Sequence, residues 1–220
     1  MPPRLQPSLT QPLKAATRAF SSSAPARAPN VSNVGKRPIT IPPNVQLTAT
    51  GEHVTVAGPL GTTVVRHPPY MVLKFPDPQT MTVAVEDMTN KKQRSWWGTF
   101  RTYVHNAIVG MTEGFSTPVY LVGVGYRAAM EADPLGKREG WSGQRLNMKL
   151  GYSHPVYERI PDWVKVEVET PTKIMVSCTD KQKLGLFAAA IRKNRVPEPF
   201  KGKGIFVGKE RIRIKSVKKK

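Results

Sequence analysis

The sequence contains one cysteine, few acidic residues and no long apolar segment. The single Cys178 excludes an internal disulfide framework and a zinc site built from several cysteines, and its place in a strand-like segment predicts a buried side chain. No stretch of about 18 consecutive apolar residues occurs, which excludes a membrane-spanning helix. Carboxylates form no paired motif, and no ligand spacing links the four histidines, His53, His67, His105 and His154. These absences predict a protein that is not an enzyme, with no cofactor, metal or small-molecule substrate.

The shortage of acidic residues is uneven along the chain. Lys and Arg number 34 against 15 Asp and Glu, which gives a formal net charge of +19. The first acidic residue is Glu52, residues 52–180 carry only +1, and residues 181–220 carry +12. An excess of this size predicts a polyanionic partner, most often nucleic acid and sometimes an anionic membrane surface.

Residues 1–30 have the composition of a targeting segment. They are rich in Ser, Ala, Pro and Arg and contain no acidic residue. This composition is typical of a mitochondrial transit peptide, so we expect the protein in the mitochondrial matrix. The segment Arg18-Ala19-Phe20-Ser21 resembles a matrix processing site, with cleavage after Phe20. The alternative is a disordered basic arm that stays on the protein and contacts RNA.

In the body of the chain, short strands separated by turn residues precede amphipathic helices. Alternating residues predict a hairpin over His53–Val65. Apolar side chains at three- and four-residue spacings predict a helix from about Lys91 to Val109, and Gly110 follows where a helix C-cap needs a residue that can adopt a positive φ. A second helix is predicted over Asp180–Lys193, again after a series of strands.

This order of strands and helix occurs twice. Val83–Asp87 aligns with Val176–Asp180 at an offset of 93 residues, although coincidence is the alternative to a true repeat. We therefore predict an α+β fold of two similar tandem domains, each an antiparallel β-sheet packed with one main α-helix. The predicted domains are residues 31–115 and residues 116–220.

Two glycine-containing motifs resemble nucleotide-binding loops but lack the context that such loops need. Gly123–Ala128 fits the pattern G-x-G-x-x-A, yet the helix-favouring run Arg127–Ala132 ends at Asp133 and leaves no room for a crossover helix. Lys201–Gly204 resembles half of a phosphate loop, but Ile205 stands where Ser or Thr would hold magnesium. We therefore expect no nucleotide cofactor.

The most specific feature is the segment Pro197–Ile205, in which two lysines alternate with two glycines. Glycine allows backbone amides to approach phosphates closely, and each lysine supplies a positive charge. Phe200 can stack on an unpaired base, but we favour a core position because Phe115 has the equivalent place in the first unit. A solvated turn is the alternative interpretation of the loop.

A basic tail follows this loop. Arg211–Lys215 alternates cationic and apolar residues and predicts a strand with one cationic face, and the tail ends in Lys218, Lys219 and Lys220. The predicted RNA-binding residues are Lys181, Lys183, Phe200, Lys201, Gly202, Lys203, Gly204, Lys209, Arg211, Arg213 and Lys215.

Several motifs between about Val34 and Lys220 occur in a distinctive combination. They are Lys36–Ile39, Val56–Gly61, Leu121–Ala128, Leu150–Pro155, Thr170–Thr172, Asp180–Gln182 and Pro197–Ile205. With these motifs the chain resembles the large-subunit ribosomal protein L6 family, in a mitochondrial and fungal form. The family usually has Tyr where this chain has Phe200, which affects only a hydroxyl contact.

The resemblance implies a structural constituent of the mitochondrial large ribosomal subunit. It implies that the second domain carries the main rRNA-binding surface, near the sarcin–ricin loop and the stalk base. The implied partners are large-subunit rRNA and neighbouring mitochondrial ribosomal proteins, with translation factors nearby. The segment Glu131–Arg145 is longer than the hairpin of the family and is a candidate for a lineage-specific contact.

Two other classes of function are open from the residues alone. An RNA-modifying enzyme or translation factor would need a cluster of acids, cysteines or histidines in a cleft, for which the sequence gives no signal. A protein held on a membrane surface by its basic tail would use Ile212, Ile214 and Val217 as its apolar contacts.

Overall fold

The computed structural model describes residues 31–216 of the chain, which form thirteen β-strands and two α-helices. The predicted transit segment with its processing site after Phe20 lies outside the described residues, as do Lys218, Lys219 and Lys220 at the end of the tail. Neither helix of the described region combines the length and apolar character that crossing a membrane requires.

The first half of the described chain places six strands before one helix. Their bounds are β1 Ile39–Thr40, β2 Gln46–Ala49, β3 His53–Gly58, β4 Gly61–Arg66, β5 Met71–Asp77, β6 Thr80–Val85 and α1 Lys91–Thr112. Strands β2, β3 and β4 form one antiparallel sheet, and β1, β6 and β5 form a second. Helix α1 packs against β3, β4 and β6. The predicted hairpin is confirmed, with Gly58 paired opposite Gly61.

The second half repeats this order and adds a final strand. The bounds are β7 Phe115–Val122, β8 Arg127–Ala132, β9 Trp141–Lys149, β10 Val156–Pro161, β11 Lys165–Thr170, β12 Lys173–Cys178, α2 Lys181–Lys193 and β13 Gly204–Val207. Strands β8, β9 and β10 form one antiparallel sheet. The other sheet has the order β11-β12-β7-β13, and α2 packs against β12, β7 and β13.

The strands that precede the two helices match residue for residue at the predicted offset of 93. In β6 the buried side chains are Met81, Val83 and Val85, and in β12 they are Ile174, Val176 and Cys178. The predicted α+β fold with two similar tandem units is therefore confirmed, as is the buried position of Cys178. Each half contains two antiparallel sheets where we predicted one. The boundary between residues 115 and 116 stays a prediction.

Each half has its own hydrophobic core. Phe100 and Val104 of α1 lie in the first core, and Leu184 and Phe187 of α2 lie in the second. Burying one side chain of this size contributes about 1.5 to 3 kcal/mol relative to leaving it exposed, so these residues fix the position of each helix on its sheets.

Helix α1 ends later than predicted. It continues through Gly110 to Thr112, and the positive φ of +73° belongs to Gly114. Gly110 instead allows the backbone of α1 to approach the backbone of Thr179 in the second half closely. A Cβ on Gly110 would overlap the Thr179 carbonyl oxygen. The prediction of Gly110 as the C-cap was wrong because its small size is required by a tertiary contact.

The segment after the dinucleotide-like motif also differs from the prediction. Arg127–Ala132, interpreted from sequence as helix-favouring, is strand β8 and pairs along its length with β9. The extension between β8 and β9 is closed by an ion pair between Glu131 and Arg145, with 3.1 Å between the charged atoms.

Candidate nucleic-acid interface

The first turn of α2 presents two exposed lysines. Asp180 begins the helix, because its side chain accepts hydrogen bonds from the backbone N–H groups of Gln182 at 2.8 Å and Lys183 at 3.4 Å. Such a cap satisfies amide groups that have no partner within the helix. Lys181 and Lys183 follow immediately, and both side chains are exposed.

Aromatic rings lie beneath both lysines. The Nζ atom of Lys181 is 5.8 Å from the ring centroid of Phe115, and that of Lys183 is 5.8 Å from the ring centroid of Trp163. Ammonium groups at this distance are attracted to the ring face. Burial lowers the pKa of His105 on α1, and the charges of Arg101 and Lys181 lower it further. Lys181 is therefore near enough to α1 for its charge to act on His105.

The loop between α2 and β13 is shaped by internal hydrogen bonds. The Glu198 N–H donates to the Lys203 carbonyl at 2.9 Å, and the Gly202 N–H donates to the Glu198 carbonyl at 3.2 Å. Gly204 has a φ of +150°, and a Cβ there would lie 2.6 Å from the Pro197 nitrogen. The glycines thus allow the loop to close on itself, while Lys201 is exposed and Lys203 is half-buried.

Phe200 is on the surface, with 56% of its area exposed. The prediction of a core position was wrong because the two phenylalanines are not equivalent. Phe115 begins strand β7 and packs against the second core, whereas the chain after α2 enters a loop before its strand. The ring of Phe200 is therefore free for contact with a partner.

The basic tail is fixed to α2 and to the loop. Arg192 makes two hydrogen bonds to the Glu210 carboxylate, at 2.9 and 2.6 Å, and these lower the pKa of Glu210. Further along, the Lys215 N–H donates to the Pro199 carbonyl at 2.8 Å. The paired hydrogen bonds between Arg192 and Glu210 fix the geometry of the start of the tail as well as its charge. The bond from Lys215 to Pro199 keeps the rest of the tail beside the loop.

The tail is not the strand that alternation predicted. Residues 211–216 form no β-ladder, and Ile214 is 62% exposed. The position of a Cβ on Gly202 would be 3.9 Å from Ile212 Cδ1 and 4.0 Å from Ile214 Cδ1, so both isoleucines lie near the loop. The exposed cations of this region are Lys209, Arg211, Arg213 and Lys215.

The predicted residues therefore fall into two groups. The loop and the tail meet at the C-terminal end of α2, whereas Lys181 and Lys183 lie at its N-terminal end. A helix of 13 residues rises about 1.5 Å per residue, which separates the two groups by about 20 Å. No three His, Cys, Asp or Glu side chains within residues 31–216 are grouped as metal ligands.

One cation of this surface was not among the residues predicted from the sequence. The Arg195 guanidinium carbon lies 4.8 Å from the ring centroid of Tyr152, and the Tyr152 hydroxyl donates to the Asn194 carbonyl at 3.0 Å. The motif Leu150–Pro155 was a signal for this region, but only the fold brings it beside the end of α2.

Comparison with known proteins identifies the family. A family model described as ribosomal protein L6 matches residues 122–208. The large ribosomal subunit protein uL6m of Neurospora crassa is 35% identical over 236 aligned residues, which cover 99% of this chain and 90% of the relative. The chain belongs to the ribosomal protein L6 family. Members of this family in other lineages are also similar: uL6c of Arabidopsis thaliana is 39% identical, with 85% of this chain and 78% of the relative covered. The uL6 protein of Mycoplasma genitalium is 42% identical, with coverage of 83% and 94%.

Membership of the ribosomal protein L6 family makes the chain a structural, non-enzymatic ribosomal protein. The alternative of an RNA-modifying enzyme is therefore wrong. The prediction of a mitochondrial form is confirmed by the match to uL6m over nearly the whole chain.

Proposed function

We propose that the protein is a structural constituent of the mitochondrial large ribosomal subunit and binds large-subunit rRNA through its second half. The proposed location, near the sarcin–ricin loop and the stalk base, follows from the family resemblance. Neighbouring mitochondrial ribosomal proteins are the proposed further partners, and translation factors pass nearby. In this role the protein supports translation by holding RNA in position.

The observation that carries the proposal is the shared surface of the loop and the tail. Lys201, Arg211, Arg213 and Lys215 are exposed there, and the surface includes the exposed Phe200. Glu210, the acidic residue at the start of the tail, is paired with Arg192. The positive charge of this surface is thus available to an external polyanion.

The proposed mechanism is scaffolding. Lysine and arginine neutralise phosphates and release counterions, which gives affinity with little sequence preference. The rigid sheets supply register, because double-stranded RNA is recognised mainly by its shape and its phosphate positions. The exposed ring of Phe200 suits an unpaired base beside those phosphates.

The test removes charge from the loop of the full-length protein. The double substitution Lys201→Ala with Lys203→Ala should remove about two phosphate contacts and flatten the log–log salt dependence of rRNA binding by about 2 units. Binding to a mitochondrial large-subunit rRNA transcript is measured across a salt series, and circular dichroism verifies the fold.

A matched control removes the same charge elsewhere. Lys91 and Lys92 are adjacent exposed lysines at the start of α1, in the first half of the molecule. The double substitution Lys91→Ala with Lys92→Ala should change the salt slope much less. Equal slopes for the loop variant and the wild-type protein would show that the loop is a solvated turn and makes no phosphate contact.

A further inference from the structure

An exposed aromatic and cationic cluster lies at the C-terminal end of α2, outside the residues proposed above for RNA binding. The rings of Tyr152 and His154 are nearly parallel, with centroids 5.7 Å apart and planes inclined by 17°. The Arg195 guanidinium lies over the Tyr152 ring, with 4.8 Å between its central carbon and the ring centroid. Three planar groups are thus held close together on the surface.

The short turn between β9 and β10 holds this cluster in place. Leu150 precedes the turn and is fully buried in the second core, and Val156 follows it and packs against the same core. At the tip, the hydrogen bond from the Tyr152 hydroxyl to the Asn194 carbonyl ties the ring to the end of α2. The turn and this hydrogen bond therefore hold the Tyr152 ring in place at the surface.

The cluster is adjacent to the charged loop. The Arg195 carbonyl accepts a hydrogen bond from the Ile205 N–H at 2.9 Å, so the residue that covers Tyr152 is directly bonded to the chain that leaves the loop. A ligand that contacts Lys201 or Lys203 through its backbone has the cluster within reach.

Exposure separates this cluster from ordinary core packing. Tyr152 keeps 43% of its area exposed, and His154 is also exposed. The nearby acid, Glu158, accepts a hydrogen bond from the Asn194 side chain at 3.2 Å. Exposed rings beside a guanidinium suit a ligand that is flat and electron-rich and has an anionic backbone.

We propose that Tyr152, His154 and Arg195 form a stacking platform for an unpaired base of the bound RNA. Sequence-specific and single-stranded RNA recognition commonly stacks bases on aromatic rings and on arginine planes. The inference rests on the proposed rRNA binding and adds a base contact to its phosphate contacts.

The test compares two substitutions at one position in the full-length protein. His154→Ala removes a ring and should weaken binding to a mitochondrial large-subunit rRNA transcript roughly tenfold. His154→Phe keeps a ring and should bind nearly as well as the wild-type protein. The salt slope should change by less than about one unit in both variants, because that slope counts the phosphates neutralised by lysine and arginine.

Tyr103→Ala is the matched control for the loss of an exposed ring. Tyr103 on α1 is 43% exposed, the same fraction as Tyr152, and lies in the first half. Ultraviolet crosslinking of the wild-type complex, followed by mass spectrometry, should place a nucleotide adduct on Tyr152 or His154. Wild-type affinity in His154→Ala, or failure of His154→Phe to restore binding, would overturn the platform. Full rRNA affinity with poor incorporation of His154→Ala into the large subunit would overturn it too, and would indicate a protein neighbour.

These outcomes are distinguishable from failure of the proposed function. If the wild-type protein binds the transcript and the Lys201 and Lys203 substitutions change the salt slope, rRNA binding stands. An unaffected His154→Ala variant would then reject the stacking platform alone.

Discussion

At the residue scale, the shape of the charged loop depends on Gly204. The residue is buried at the start of β13 and approaches the backbone of Pro197 and Val196 so closely that a Cβ would lie 2.6 Å from the Pro197 nitrogen. A contact with backbone atoms cannot be relieved by turning a side chain. The position of the two loop lysines is therefore coupled to the absence of a side chain here.

Gly204→Ala should consequently destabilise the protein, whereas Gly185→Ala should not. Gly204→Ala forces the backbone apart and should lower the free energy of unfolding by about 1 to 3 kcal/mol. Gly185 lies on the exposed face of α2 with no atom within 4 Å of the added Cβ, so its substitution should raise that free energy by about 0.5 to 1 kcal/mol. Urea unfolding of both full-length variants measures this. Unchanged stability in Gly204→Ala would show that the loop does not need the close approach.

At the scale of elements, α2 separates two groups of cations. Lys181 and Lys183 are held at its first turn, and the loop and tail are held at its last turn by the contact between Arg192 and Glu210. The two groups share no partner among the contacts described. They should therefore contribute to RNA binding as independent sites.

Independence can be measured as additivity. Lys181→Ala with Lys183→Ala should weaken rRNA binding on its own, and combining it with the Lys201 and Lys203 substitutions should sum the two losses within about 0.5 kcal/mol. Binding is measured at one fixed salt concentration, since affinity depends on salt. A combined loss that equals either double substitution alone would indicate one shared contact rather than two.

The local patterns of these elements were predictable from the sequence. Strand β12 follows from the alternation of apolar residues, and helix α2, predicted over Asp180–Lys193, spans Lys181–Lys193. The repeat was visible because the same alternation of buried side chains occurs in β6 and β12. These features depend on residues close in sequence, which is why periodicity revealed them.

Features that depend on distant contacts were not predictable. The alternation over Arg211–Lys215 predicted a strand, but the ion pair of Glu210 and the bond from Lys215 to Pro199 hold this segment against the loop. The exposure of Phe200 follows from the loop that separates α2 from β13. Tyr152 and Arg195 are in contact although they lie far apart in the chain, so no local pattern could predict this contact.

At the scale of the whole molecule, two similar halves carry unequal charge. Residues 31–115 have a net charge of +3 and residues 116–220 have +12, although the folds of the halves match. The close contact between Gly110 and Thr179 joins them, so the charged surface is attached to a second body of much lower charge. This arrangement agrees with a scaffold in which one half provides most of the RNA affinity.

The most direct test of the proposed rRNA contact is a cryo-EM density map of the mitochondrial large ribosomal subunit that contains this protein. We predict that the ammonium groups of Lys201 and Lys203 lie about 3 Å from phosphate oxygens of the large-subunit rRNA, with the tail from Lys209 along the same RNA. A map in which the loop and tail face solvent, or contact only other proteins, would contradict it.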